Sequence, residues 1–116
     1  MKRGDTYLAD LEPVRGSEAN NARPAILVGN DASLGAVLRH GRGVVTIVPV
    51  TRNLTLHGAM HVRLQPTRLN GLSEMSKVQA EHIRSIDVAR LIRPLGKLGA
   101  NDLDAVSKTL RYHLDL

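Results

Sequence analysis

The chain contains no cysteine, no tryptophan and no phenylalanine. Without cysteine there is no disulfide, no thiol nucleophile and no thiolate zinc site, which fits a reducing compartment. Tyr7 and Tyr112 are the whole aromatic complement, so the core must be built from Val, Leu, Ile and Ala. Stacking platforms for single-stranded nucleic acid are nearly absent. Any base recognition then falls to polar loops, arginine stacking and backbone groups. No stretch approaches the roughly eighteen apolar residues of a membrane span. The opening Met1-Lys2-Arg3-Gly4-Asp5 has no apolar signal region. The expectation is a cytoplasmic protein with no membrane association. No internal repeat or low-complexity linker occurs, and 116 residues imply one domain, 1–116.

Positive charge is what the chain has in excess. Sixteen Lys+Arg oppose eleven Asp+Glu, giving a net charge of +5 and a pI near 10.2. That balance suits an acidic partner such as nucleic acid. A core of this size is only marginally stabilising alone, so an interface with a second copy would help.

The most informative stretch is Arg3 to Asp31. Tyr7, Ala9 and Leu11 alternate with Thr6, Leu8 and Asp10, the pattern of a strand over Asp5 to Leu11. A second strand begins at Arg23-Pro24 and runs through Val28. Between them lies a polar loop, Glu12 to Ala22, long for a hairpin; such loops in compact domains are usually functional or disordered. It carries Arg15, Glu18, Asn20 and Asn21, with Arg23 at its exit. These groups can grip a polyanion and move protons.

Further on, Ala32 to Gly43 is polar and punctuated by glycine, and reads as a loop with at most one helical turn. Val44 to Val48 is β-branched and apolar, hence a buried strand. Pro49 ends its free pairing or marks an edge. Thr51 to Gly58 reads as loop. Met60, Val62 and Leu64 alternate with His61, Arg63 and Gln65, a half-exposed strand, and Pro66 to Glu74 is loop again. Val78 and Ala80 share one face, but Ile83 falls at the wrong parity, which predicts a β-bulge or bend near Glu81-His82. Leu91 to Leu95 is a last short strand, placed at an edge by Pro94. Leu103, Val106, Leu110 and Leu114 form one helical stripe. Asn101, Asp102 and Asp104 supply caps and negative charge to its first turn; Lys108, Arg111 and His113 load its end, matching the helix dipole.

Several motifs carry a resemblance. Arg3-Gly4-Asp5 is followed by Tyr7, by Ala9-Asp10-Leu11 and by Pro13. Then come Arg15-Gly16-Ser17-Glu18, Arg23-Pro24 before an apolar strand, and Asn30-Asp31. Val48-Pro49-Val50-Thr51 and the segment Gln79 to Asp87 follow at matching intervals. In this order the chain resembles the MazF/PemK/Kid group of toxin endoribonucleases along essentially its whole length. The resemblance implies a mainly β fold with a C-terminal helix, a small SH3-like barrel of the CcdB/Kid/MazF type. It implies a homodimer, a small acidic antitoxin of the MazE kind, and single-stranded RNA as substrate, chiefly mRNA, with rRNA and tRNA as further candidates. No cofactor is expected.

Metal-free RNA cleavage uses the 2′-hydroxyl of the RNA itself. The protein must take that proton, stabilise the added charge on phosphorus and protonate the leaving 5′-oxygen. Arg23 can match two phosphate oxygens with its fork of donors, and it stands where Pro24 holds the backbone extended. Taken alone it reads as a solvated loop arginine; in relatives the arginine of this pair is catalytic. Thr51 offers a hydroxyl donor, where the bland alternative is a β-favouring or turn threonine. The resemblance implies that it too is catalytic. Glu18 and Glu81 are two candidate proton acceptors, each weighed against a surface carboxylate. Arg15, Ser17, Asn20, Asn21, Arg52, Gln79, His82 and Arg84 are the expected RNA-binding set.

Two departures stand out. Arg52 occupies a position where relatives often carry serine or another small polar residue, adding a cation that grips a flanking phosphate or points into solvent. His82 replaces a glutamine common in relatives, and hydrogen bonding to a base is the expected role. His57 and His61 are spaced as helical zinc ligands would be, but they lie on loop and strand with no third ligand in view, so no metal site is expected. The alternatives are a same-fold toxin that acts by binding, like the CcdB-type gyrase poisons, or an inactive RNA-binding relative.

Overall fold

The computed structural model describes residues 1–11, 22–55 and 61–116, with His61 described through its backbone alone. Of the expected loop Glu12 to Ala22, residues 12–21 lie outside them, and with these Arg15, Ser17, Glu18, Asn20 and Asn21; Ala22 belongs instead to the second strand, paired with Asp10. His57 and Met60 also lie outside. Strands β1 (Asp5–Asp10), β2 (Ala22–Leu27), β3 (Val44–Thr51), β4 (His61–Leu64), β5 (Ser76–Gln79), β6 (Arg84–Asp87) and β7 (Leu91–Lys97) alternate with helices α1 (Asp31–His40) and α2 (Ala100–Leu114). All pairings are antiparallel. The sheet runs β4-β5-β3-β2-β1-β7, with β6 also on β3. This is the mainly β fold with a closing helix that the sequence predicts. Among the described residues the ladder does not close into a ring, however: β4 and β7 are its two ends.

Strand β3 explains much of this arrangement. Val45 and Ile47 enter one core cluster with Ala9, Ala25, Leu27 and Leu34. Val48 and Val50 enter the other with Ile26, Leu64, Val78 and the α2 residues Val106 and Leu110. A strand buried on both faces reads as a continuous apolar run, as Val44 to Val50 does. Pro49 is not at an edge. It pairs with Ala25 on one side. On the other side β6 pairs with residues 44 to 47 and β5 with residues 50 and 51. Pro49 thus falls in the gap between two partners, where its missing N–H interrupts no pairing.

Two further expectations change, and a third settles on one of its two alternatives. Residues 31 to 40 form a full helix rather than a loop. Asn30 caps it, its side chain accepting from Ser33 N at 2.8 Å, and Gly41 ends it in the left-handed region. The irregularity near Glu81 is a bend, as expected, but a 3₁₀ turn over Ala80–His82 rather than a bulge. It ends β5 and starts β6, so each strand keeps its own parity. Helix α2 is capped by Gly99 without a side-chain bond, not by Asn101. Pro94 does lie on an edge strand, as read.

The Arg3-Gly4-Asp5 motif is structural. The Arg3 guanidinium donates to the Val28 carbonyl and to Ser107 Oγ at 3.0 Å, while its backbone N donates to Asp31 Oδ1 at 2.7 Å. One residue thereby ties the amino terminus to both helices.

The loop after β4 is held from within by Asn70, which is 1 % exposed. Its Oδ1 accepts from the backbone N–H of Thr67 and of Leu72, each at 3.0 Å, and its Nδ2 donates to the Gln65 carbonyl at 2.9 Å. Gly71 has φ +68° and lies so close to the Leu95 carbonyl that a Cβ would overlap it. Asn70→Ala should therefore lower stability by about 2–3 kcal/mol, because buried N–H groups lose their acceptor. Thermal denaturation should show a fall of roughly 10 °C for a domain of this size.

Candidate active site

The register of β2 against β3 decides what meets at the far end of the sheet. Ala25 lies opposite Pro49, and Ile26 opposite Val48. Extended by two residues past the last pair, the same register sets Arg23 opposite Thr51. Directly opposed residues of antiparallel strands point to the same face. Both side chains are half-buried. Beyond Ala25 the strands no longer pair with each other, and a groove opens there. Its volume is about 470 Å³, and its lining includes Leu8, Arg23, Pro24, Val50, Thr51, Arg52, Leu72, Ser73 and Arg93. The walls are aliphatic and three arginines reach them. Cations over low-dielectric walls concentrate positive potential.

The structure thus brings together Arg23, Thr51 and Arg52 of the expected set. Thr51 Oγ1 accepts from the Asn53 backbone N–H at 3.2 Å, which leaves the hydroxyl proton available to donate outward. The Arg52 guanidinium bonds Glu74 Oε2 at 2.6 Å across the groove mouth.

Four other expected residues do not line the groove. Gln79 ends β5 on the same face as Thr51, by the Thr51–Lys77 pairing. Glu81 and His82 sit on the 3₁₀ turn packed against α2. Glu81 is half-buried with its Oε1 out of solvent, and His82 Nε2 lies 3.9 Å away. Arg84 donates from Nη1 to the Leu11 carbonyl at 2.8 Å. It holds the end of β1 together with Arg90, whose Nη1 donates to the Asp10 carbonyl at 3.3 Å. These two arginines fix the backbone at Asp10 and Leu11.

Lys77 was not singled out in the sequence. It pairs directly with Thr51 on one side and Arg63 on the other, and it is 3 % exposed. An alternating lysine in a strand reads as solvated, so only the packing reveals it. Elsewhere on this sheet, burial raises the Tyr7 phenol above its ordinary pKa, with the nearby Asp5 charge adding to the effect. Among the described residues, no three of His, Asp and Glu come together as metal ligands would.

Residues 2–114 match the family described as PemK-like, MazF-like toxin of type II toxin–antitoxin systems. The chain belongs to this family. It is 47% identical over 116 residues to the endoribonuclease MazF9 of Mycobacterium tuberculosis, covering all of this chain and 98% of that one. It is 34% identical to the endoribonuclease EndoA of Bacillus subtilis, covering 100% and 96%. Among solved structures, a MazE–MazF crystal structure from Deinococcus radiodurans superposes with a TM-score of 0.78 at 26% identity, covering 100% and 96%. The toxin fold of this family and the fold described above are therefore the same.

The Arg52–Glu74 pair is solvated, with side chains 74% and 54% exposed. Its loss should alter stability by no more than about 1 kcal/mol. Glu74→Gln should instead release Arg52 to other anions. The variant is expected to leave a heparin column at higher salt than the wild type, with an unchanged melting temperature.

Proposed function

We propose that this toxin cuts single-stranded RNA through attack by the RNA's own 2′-hydroxyl, and that Arg23 and Thr51 carry the reaction. The observation that supports this most is their placement opposite each other on one face of the sheet, at a groove lined by arginines. The Arg23 fork would bind the non-bridging oxygens of the scissile phosphate and neutralise the charge that grows on them. Thr51 would donate its hydroxyl proton to the same phosphate. A carboxylate takes the 2′-hydroxyl proton. Glu18, five residues before Arg23 in the chain, is better placed in sequence than Glu81, whose turn packs on α2. The 2′-oxygen then bonds to phosphorus, the bond to the 5′-oxygen breaks, and that oxygen takes up a proton. The products are a 2′,3′-cyclic phosphate and a 5′-hydroxyl.

The basic groove also suits an acidic protein segment. An antitoxin that covers it would block RNA by occupying the same cations, in keeping with the relatives solved with their antitoxins. A homodimer would bring two such grooves into one particle and double the net charge.

Arg23→Ala should abolish cleavage of a long in vitro transcript while leaving the fold intact, because the side chain lines the groove and is only half-buried. Thr51→Ala should slow it at least about tenfold, the weight of roughly 1.4 kcal/mol in the barrier. Gel analysis of purified variants decides this; cutting by both at the wild-type rate would remove the assignment. The wild-type protein is expected to keep full activity in excess EDTA. Activity lost in EDTA and restored by zinc or magnesium would contradict the metal-free reaction.

A further inference from the structure

We propose that Arg93 of β7 is a substrate-binding residue, gripping a backbone phosphate that flanks the scissile one. The inference rests on the ribonuclease reading above. Leu8 of β1 is opposed by Pro24 on one side and by Arg93 on the other. Three residues in register across three strands share a face, and all three line the groove. Arg23, next in the chain to Pro24, alternates to the other face of β2, but it too lines the groove; Arg93 meets that same groove from two strands, about 10 Å of sheet, away.

The three arginines of the groove are not equivalent. Arg23 is the proposed catalytic cation. Arg52 is engaged by Glu74 at 2.6 Å, so its charge is largely compensated. Arg93 is exposed and makes no ion pair or side-chain hydrogen bond among the described residues. Among the described residues it is thus the groove's second uncompensated cation. A guanidinium presents a planar fork of donors that suits phosphate oxygens.

A competing role exists. Edge strands often carry charge to discourage pairing with other chains, and β7 is an edge strand. A charge serving that purpose alone would not need to share the groove's face, and its removal would change aggregation rather than RNA affinity.

The test measures cleavage of a long in vitro transcript by the wild type, Arg93→Ala, Arg93→Lys and Arg39→Ala at several salt concentrations. Arg39, on α1, does not line the groove and controls for the loss of one net charge. Arg93→Ala should raise KM about tenfold with kcat nearly unchanged, the effect of removing one charge-assisted hydrogen bond to substrate. The slope of log(kcat/KM) against log[salt] should become shallower by about 0.7, the value for one phosphate contact on a single strand. Arg93→Lys should recover part of the loss, and Arg39→Ala should resemble the wild type. An Arg93→Ala protein with wild-type KM and salt slope would overturn the inference, as would an equal effect from Arg39→Ala. A wild-type protein that cuts no RNA would instead overturn the ribonuclease reading itself.

Discussion

Strand β3 is paired along both sides, and on one of those sides it changes partner between Ile47 and Val50. The register against β2 sets Arg23 opposite Thr51. The register against β5 sets Lys77 opposite Thr51 on its other flank. A slip of one residue in either ladder would turn these side chains to the opposite face. Such a slip is opposed by the core, because β3 buries Val45 and Ile47 on one face and Val48 and Val50 on the other. The positions of the polar groups at the sheet end are thus enforced by apolar packing at its centre.

The same constraint shapes the surroundings of the site. The ladder between β2 and β3 ends at Ala25 and Pro49, and Pro24 has no N–H with which to extend it. The strands can separate there, and the separation is what makes a groove. Its second wall comes from the loop fastened by Asn70 and Gly71. Its charge comes from Arg23 on β2, Arg93 on β7 and Arg52 just past the end of β3. With no aromatic residue among its lining groups, the groove would hold a polyanion by charge and shape more than by stacking. Single-strand binding of that kind is strongly dependent on salt.

Much of this was legible in the sequence because its signals are local. The strand at Tyr7, Ala9 and Leu11, the apolar run before Thr51 and the stripe from Leu103 to Leu114 each follow from periodicity. The motifs around Arg23 and Thr51 singled them out, and the structure sets both at one groove. Helix α1 was not legible, because only Leu34 is fully buried in it and Gly35 weakens its propensity. Its signals were the Asn30 cap, Asp31 in the first turn and Gly41 at the end. Pro49 misled because a proline in a central strand is rare, and its tolerance depends on a change of partner that no single strand reveals. Lys77 and Arg93 were missed for one reason: charges on strands read as solvated, and the burial of Lys77 beside Thr51 and the place of Arg93 at the groove both depend on long-range register.

The chemistry of the cut ends tests the central claim most directly. RNA digested by the purified toxin should carry 5′-hydroxyl ends that cannot be ligated until a kinase has phosphorylated them. The upstream fragments should carry 2′,3′-cyclic phosphates. Fragments with 5′-phosphate and 3′-hydroxyl ends would show that water rather than the neighbouring 2′-hydroxyl attacks phosphorus. That result would contradict attack by the RNA's own 2′-hydroxyl, the reaction in which Arg23 and Thr51 are proposed to stabilise the phosphate.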